Sequence, residues 1–310
     1  MADRHPGIGG LPLVLGGNVF GWTLDRDGGF AVLDAFYEAG GRMIDSAEGY
    51  SAWAPGNVGG ESEAMLGDWM ESRGVRGDML IGTKTGMGGV ANALAPEKVT
   101  AALEGSLERL RTDYVDIYYV HRDDKTTPLD EVASVFGSAV VKGKARELGV
   151  SNYAAARLRA LNGEAERQSL PRFSVMQPMY NLVARSGFEG ELQALSVEQG
   201  IAALPYYGLA SGFLTGKYAS ADDWQGSSRA GALDAAAADG GWNALAVLQD
   251  VAARNGVTCA QVALAWLRRQ PGVAAPIASA TSPAQVSDLV RSATIELAKA
   301  DLAKLDGALP

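Results

Sequence analysis

The sequence predicts an α/β fold: a (β/α)8 TIM barrel formed as one domain over residues 1–310, with a short N-terminal cap and extra C-terminal helices. Three observations predict it. From Leu11 onward, eight short apolar runs alternate with longer amphipathic segments. No linker-like, low-complexity segment divides the chain. A polar residue closes most of the apolar runs. Repeated βα units imply parallel strands joined by right-handed crossovers. An open doubly wound sheet is the competing layout, but eight units in about 300 residues favour closure, with the active site at the carboxyl ends of the strands.

The elements follow in order. Leu13 to Leu15 is the first strand and ends in Gly16-Gly17-Asn18. A helix begins near Asp27, carries Phe30, Leu33 and Tyr37 on one face, and stops at Gly40-Gly41. Met43-Ile44 leads to Asp45, and Glu61 to Met70 is helical with Met65, Leu66 and Trp69 together. Met79 to Ile81 forms a strand ending at Lys84. Pro96 to Leu110 is a strong helix, with proline at its start and Val99, Leu103, Leu107 and Leu110 as the buried stripe. Val115 to Val120 is a strand ending at His121, and Pro128 to Val141 is helical.

Ala145 to Val150 is a strand ending at Ser151-Asn152, followed by a helix over Ala154 to Leu161. Phe173 to Met176 ends at Gln177, and Glu189 to Gln199 is helical. Ile201 to Leu204 is a strand ending near Tyr206. Ala210 to Gly241 is rich in Gly, Ala and Ser and reads as a loop over a site. Helices over Trp242 to Ala253 and Thr258 to Arg268 precede the last strand, Val273 to Ile277, which ends at Ser279. Pro283 to Arg291 and Lys299 to Gly307 close the chain as helices.

Composition narrows the partners. A formal net charge of −9 disfavours nucleic acid and anionic membrane surfaces. No run approaches the ~18 apolar residues of a membrane span. The first residues lack a basic segment followed by an apolar core, so a cytoplasmic protein is expected. Cys259 is the only cysteine, which leaves no intrachain disulfide, and its apolar helical setting reads as a buried structural thiol.

Asp45, Lys84, His121, Ser151, Asn152, Gln177 and Tyr206 all fall at strand carboxyl ends, and Tyr50 follows Asp45 by five residues across a glycine turn. A free phenol, with a pKa near ~10, is a poor acid at neutral pH. An ammonium nearby lowers that value, so Lys84 is expected to activate Tyr50, with Asp45 holding Lys84 protonated. His121 is placed to donate to a substrate oxygen. The set suits protonation of an oxygen becoming an alkoxide, as in carbonyl reduction, or the reverse.

Metal hydrolysis is disfavoured: the only other histidine, His5, lies in the N-terminal tail, and no metal site is expected. A G-x-S-x-G elbow is absent too.

Hydride must come from a cofactor. Ser151, Asn152 and Gln177 carry groups suited to a nicotinamide carboxamide, and Tyr206 offers a ring to stack on it. The Ser211 to Lys217 loop and the Ser279 to Ser282 turn are candidates for holding phosphates through backbone N–H groups. Without a G-x-G-x-x-G after the first strand, a Rossmann site is not indicated. Trp22 and Trp53 follow the first two strands, as a substrate-pocket wall or as barrel-edge packing. Glu61 and Glu63 read as helix N-terminal charges, and Asp116 and Arg146 as structural network residues.

These residues resemble the aldo-keto reductase family along nearly the whole chain. Ile44-Asp-Ser-Ala-Glu-Gly-Tyr50 is similar to its first signature, Gly60-Glu-Ser-Glu63 to the continuation, and Gly82-Thr-Lys84 to its lysine strand. Asp113 to His121 resembles the histidine strand, and Lys142 to Asn152 and Met176 to Asn181 resemble the fifth and sixth. The resemblance implies a tetrad of Asp45, Tyr50, Lys84 and His121 with Tyr50 as general acid. It also implies carboxamide contacts from Ser151, Asn152 and Gln177, stacking by Tyr206, and a cofactor-clasping loop containing Leu209, Ser211, Leu214 and Lys217.

Two positions depart from the family pattern. Ala278-Ser279 stands where many members have Pro-Gly. Ser279, Thr281 and Gln285 stand where many place a Lys or Arg against the adenosine 2′-phosphate. The resemblance therefore implies NADP(H), with NAD(H) as the alternative, because an Arg–phosphate pair is a strong contact and is missing. The leading expectation is reduction of a small-molecule aldehyde or ketone. The alternatives are a nucleotide-binding redox-sensing or regulatory module on the same barrel, and oxidation of a sugar or secondary alcohol.

Overall fold

The computed structural model describes residues 10–87 and 90–309. His5 and the cap expected ahead of Gly10 lie outside the described residues. The strands are β1 (Val14–Gly16), β2 (Met43–Asp45), β3 (Leu80–Thr85), β4 (Val115–Val120), β5 (Ala145–Ser151), β6 (Phe173–Gln177), β7 (Ala202–Ala203) and β8 (Ile277–Ala278). They form one eight-stranded sheet in the order β7-β6-β5-β4-β3-β2-β1-β8. Every pair is parallel. The registers Gly16 with Asp45 and Asp45 with Gly82 bring neighbouring strands to a common level at their carboxyl ends. Between β7 and the segment entering β8, Ala203 N–H donates to Gly272 O at 3.0 Å, Ala274 N–H to Ala203 O at 2.9 Å, and Ile277 N–H to Pro205 O at 2.8 Å.

Parallel strands require long crossovers, and helices supply them. They are α1 (Arg26–Glu38), α2 (Glu61–Arg73), α3 (Pro96–Leu110), α4 (Leu129–Val141), α5 (Ala155–Arg167) and α6 (Glu191–Gln199). Three more, α7 (Ala230–Ala237), α8 (Gly241–Asn255) and α9 (Cys259–Leu267), lie between β7 and β8, and α10 (Pro283–Ser292) and α11 (Lys299–Asp306) follow. Local chemistry sets their ends. Asp25 caps α1 by accepting from Gly28 N–H at 2.9 Å, Pro96 opens α3, and a reciprocal Thr258–Gln261 capping box opens α9.

Two apolar clusters hold the layers together. The larger fills the space between sheet and helices and includes Leu66, Trp69, Leu103, Tyr118, Phe136 and Leu264. The smaller gathers Val14, Met43, Ile117, Tyr119, Val175, Leu204, Ala275 and Ile277 on the other side of the sheet. Alternation along β4 explains the division: Ile117 and Tyr119 point one way, Tyr118 and Val120 the other. Gly149 of β5 makes room for the Tyr119 ring, which a side chain there would strike. Each fully buried large apolar side chain contributes about 1.5–3 kcal/mol.

Several expected elements change in the structure. The excursion from Ala210 to Gly241 is structured: it contains 3₁₀ turns over Ala210–Thr215 and Ala221–Trp224, then α7. Trp224 anchors it, buried to 2% exposure, stacked 5.8 Å from Trp242 and donating from Nε1–H to Asp234 at 2.8 Å. The last strand is shorter than expected because Pro276 has no N–H for a ladder; Val273 instead bridges Ala203. Helix α5 runs on past Leu161 to Arg167, carried by buried Ala165. Cys259 is only partly buried, at the first turn of α9.

Candidate active site

Asp45 ends β2, and Lys84 stands one residue from the end of β3. The Lys84 Nζ donates to Asp45 Oδ2 at 2.6 Å, to Ser46 O at 2.7 Å, and lies 2.9 Å from the Tyr50 hydroxyl. Both members of the Lys84–Asp45 pair are shut off from water, at 1% and 2% side-chain exposure. The Tyr50 O–H donates to Asp45 Oδ2 at 3.2 Å. His121 follows β4, its ring 5.9 Å from that of Tyr50 in an edge-to-face arrangement. The four side chains expected from sequence thus converge at the carboxyl ends of three neighbouring strands.

Electrostatics acts on Tyr50, Lys84 and His121. Burial pushes the Tyr50 phenol well above its ordinary value, and the Asp45 carboxylate adds to this through its charge and its hydrogen bond. The lowering expected from Lys84 is therefore not the net result, because the hydroxyl is buried and Asp45 stands beside it. Burial pulls the Lys84 ammonium down, and Asp45 opposes that pull. His121 is lowered to about 3 by burial, then by the Lys84 and Arg122 charges. At neutral pH the phenol carries its proton and the imidazole is uncharged.

Ser151, Asn152, Gln177 and Tyr206 form one cross-bonded group. Ser151 Oγ–H donates to Gln177 O at 3.0 Å, and Asn152 Nδ2–H donates to Ser151 Oγ and to His121 O, each at 3.0 Å. Tyr206 O–H donates to Asn152 Oδ1 at 2.9 Å. Gln177 Nε2–H reaches Asp45 Oδ1 at 2.6 Å, tying β6 to β2 across the sheet. Asn152 has φ 57°, a conformation unusual for residues other than glycine, which aims its amide at this cluster.

The remaining expected positions are spread around the same ends. Ser211 and Gly212 have φ of 57° and 97°, giving the loop after Leu209 its sharp bend. Leu209 is half-buried against the core. The Leu214 side chain is fully buried in the core, and its N–H donates to Leu209 O at 3.3 Å. Lys217 Nζ lies 4.7 Å from the Tyr218 ring. Ser279 Oγ–H donates to Asn18 Oδ1 at 2.6 Å, joining the ends of β8 and β1. Gln285 Oε1 accepts from Thr281 N–H at 2.8 Å and Thr281 Oγ1–H at 3.1 Å. Trp22 and Trp53 meet edge to face at 5.5 Å, and Trp53 stands 6.2 Å from Tyr50, continuing an aromatic wall.

Two acids took roles that sequence reasoning missed. Glu61 does cap the turn before α2, accepting from Val58 N–H at 2.8 Å and Gly59 N–H at 3.0 Å. Glu63 is fully buried, accepts from Thr83 and pairs with Arg109 at 2.7 Å. Its link to Thr83, the residue before Lys84 on β3, was hidden by its ordinary setting in a first helical turn. Glu48 was passed over as well; it accepts from Thr85 Oγ1–H at 2.5 Å and Gly86 N–H at 3.0 Å. Asp116 serves structure as expected, paired with Arg146 at 2.8 Å and Arg76 at 3.1 Å. Among the described residues, no group of three or more His, Cys, Asp or Glu could hold a metal ion, and no helix is long and apolar enough to cross a membrane.

Comparison with known proteins agrees with this architecture. The chain is 31% identical over 325 residues to norsolorinic acid reductase stcV of Emericella nidulans, covering 98% of this chain and 79% of that protein. It is 32% identical to a probable voltage-gated potassium channel subunit beta of Oryza sativa subsp. japonica, covering 88% and 84%. It is 29% identical to L-glyceraldehyde 3-phosphate reductase of Escherichia coli O157:H7, covering 90% and 84%. The family model for the aldo/keto reductase family matches residues 12–310. With that match over nearly its whole length, the chain belongs to the aldo/keto reductase family and is an oxidoreductase of that kind.

Proposed function

We propose that this enzyme reduces an aldehyde or ketone to an alcohol with a nicotinamide cofactor, Tyr50 acting as general acid. The observation that carries the reading is the position of Lys84 Nζ, 2.6 Å from Asp45 and 2.9 Å from the Tyr50 hydroxyl. The nicotinamide, when bound, supplies the hydride. The protein's part is to hold and move a proton. Tyr50 keeps its proton until charge develops on the substrate oxygen, because burial and Asp45 disfavour the phenolate. His121, uncharged, donates a hydrogen bond to the same oxygen and polarises the carbonyl. When the phenol proton passes to that oxygen, the ammonium of Lys84 faces the phenolate left behind, and Asp45 keeps Lys84 charged. In the oxidative direction, the same phenolate takes the alcohol proton.

The cofactor's polar partners fit the donor set. Asn152 brings its side-chain amide to Ser151, Gln177 extends its amide to Asp45, and Tyr206, tied to Asn152 through its hydroxyl, is the stacking ring. Leu209, Ser211, Leu214 and Lys217 are the clasping segment, bent sharply by the positive φ of Ser211 and Gly212. Ser279, Thr281 and Gln285 are the adenosine-end contacts. The family favours NADP(H), and a 2′-phosphate bound here takes the Ser279 and Thr281 hydroxyls from Asn18 and Gln285. One observation supports NAD(H) as the second reading. This turn carries hydroxyls and an amide but no cation, and the Thr281 donors are engaged by Gln285. The same proposal takes the sheet as a closed barrel and a single domain, supported by the bonds linking Ala203 with Gly272 and Ala274.

Replacing Tyr50 with Phe tests the assignment. Turnover of a carbonyl panel should be lost while nucleotide affinity by fluorescence titration stays near that of the parent. A regulatory module with no chemistry would bind nucleotide tightly and turn over nothing even with Tyr50 intact.

A further inference from the structure

The loop that carries Tyr50 is fastened on both sides of that residue. Toward β3, Ser46 N–H donates to Gly82 O at 2.8 Å and Glu48 N–H to Lys84 O at 3.1 Å. The Glu48 carboxylate then takes Thr85 Oγ1–H at 2.5 Å and Gly86 N–H at 3.0 Å, both at the end of the strand that holds Lys84. Toward β1, the residue after Tyr50 is Ser51, fully buried, with φ 69°. Its Oγ–H donates to Phe20 O at 2.7 Å, and Asn57 Nδ2–H closes the link by donating to Ser51 O at 3.1 Å and Gly21 O at 2.7 Å. A left-handed conformation in a residue other than glycine persists only where surrounding contacts enforce it, and such outliers gather at functional sites.

We infer that Glu48 and Ser51 are positioning residues forming a two-point clamp that sets the Tyr50 hydroxyl between Asp45 and Lys84. The inference rests on Tyr50 being the acid. Neither clamp side chain touches the Tyr50 hydroxyl. Glu48 fixes the loop to the lysine strand, while Ser51 fixes it to the β1 loop. The 2.9 Å contact between Tyr50 and Lys84 is the distance they jointly set. An ångström of slack in a reacting group suffices for roughly a hundredfold loss of rate.

The test compares Glu48→Ala, Glu48→Gln, Ser51→Ala and Tyr50→Phe as full-length enzymes, with circular dichroism melts to normalise for folded protein. Glu48→Ala should lower kcat about a hundredfold with the nucleotide Kd unchanged, and Ser51→Ala about tenfold, as expected for one lost buried hydrogen bond. In both, the alkaline limb of the kcat–pH profile should shift, because the phenol moves relative to Asp45 and Lys84. Glu48→Gln should keep most of kcat, since its amide oxygen still accepts from Thr85 and Gly86. Normal kcat and pH profile in Glu48→Ala and Ser51→Ala, alongside a dead Tyr50→Phe, overturns the clamp alone. So does a lowered melting temperature with folded-protein kcat and pH profile intact. Retained turnover in Tyr50→Phe overturns the clamp together with the reading beneath it.

Discussion

Lys84 and Asp45 form an ion pair of 2.6 Å that is almost wholly excluded from water. A pair of this kind is held by mutual dependence: removing one partner leaves the other charge buried and uncompensated. Lys84→Met should therefore destabilise the fold by about 3–5 kcal/mol in urea denaturation. Adding Asp45→Asn to that variant should restore part of the loss, which a double-mutant cycle would read directly. Strictly additive losses would show that the two charges do not depend on each other.

His121 links stability to pH. Its folded value is lowered to about 3, against about 6.5 for an exposed imidazole. The unfolded chain binds this proton first as pH falls. The contribution is therefore complete above the unfolded value and is lost progressively between there and the folded value. One such group gives a slope of at most about 1.4 kcal/mol per pH unit. The difference between the parent and His121→Gln, followed by denaturant titration through this window, isolates it from the carboxylates. The same lowering keeps the imidazole neutral at working pH, so kcat/KM should show no acid limb near the ordinary histidine value.

Thr281→Arg should change the choice of nucleotide. A guanidinium placed at this turn meets a 2′-phosphate with charge-assisted hydrogen bonds. NADPH should bind about tenfold tighter relative to NADH, about 1.4 kcal/mol, as read by fluorescence titration of both nucleotides. An unchanged ratio would place the adenosine end elsewhere.

How much of this was legible in the chain depends on what kind of signal each part carries. The helix at Pro96–Leu110 was plain because a start signal and a 3.6-residue apolar stripe coincide there. Asp45, Lys84, His121 and Gln177 were legible because each terminates an apolar run, and a βα repeat brings such termini to one end of the sheet. The segment from Ala210 to Gly241 was not, because alanine and glycine give no periodic contrast and its anchor, Trp224, finds Trp242 only in three dimensions. Glu63 and Glu48 were hidden for a related reason. Their partners, Arg109 and Thr85, are 46 and 37 positions away, and nothing local distinguishes a bonded carboxylate from a solvated one. The direction of the Tyr50 shift also escaped, since it is set first by how deeply the phenol is buried and then by the nearness of Asp45, neither of which shows in the sequence.

The pairing of β1 with β8 has a consequence for how the molecule is made. Asn18 and Ser279 meet across 261 positions of sequence. On a ribosome adding about 5–20 residues per second, Val14–Gly16 has emerged for roughly 13–50 s before its second neighbour exists. For that interval the first strand exposes a row of unsatisfied N–H and C=O groups, the feature through which sheet edges recruit other chains. Nascent chains halted before Ile277 should therefore be the species most prone to aggregate and most dependent on chaperones, while the released chain buries that edge between its own first and last strands.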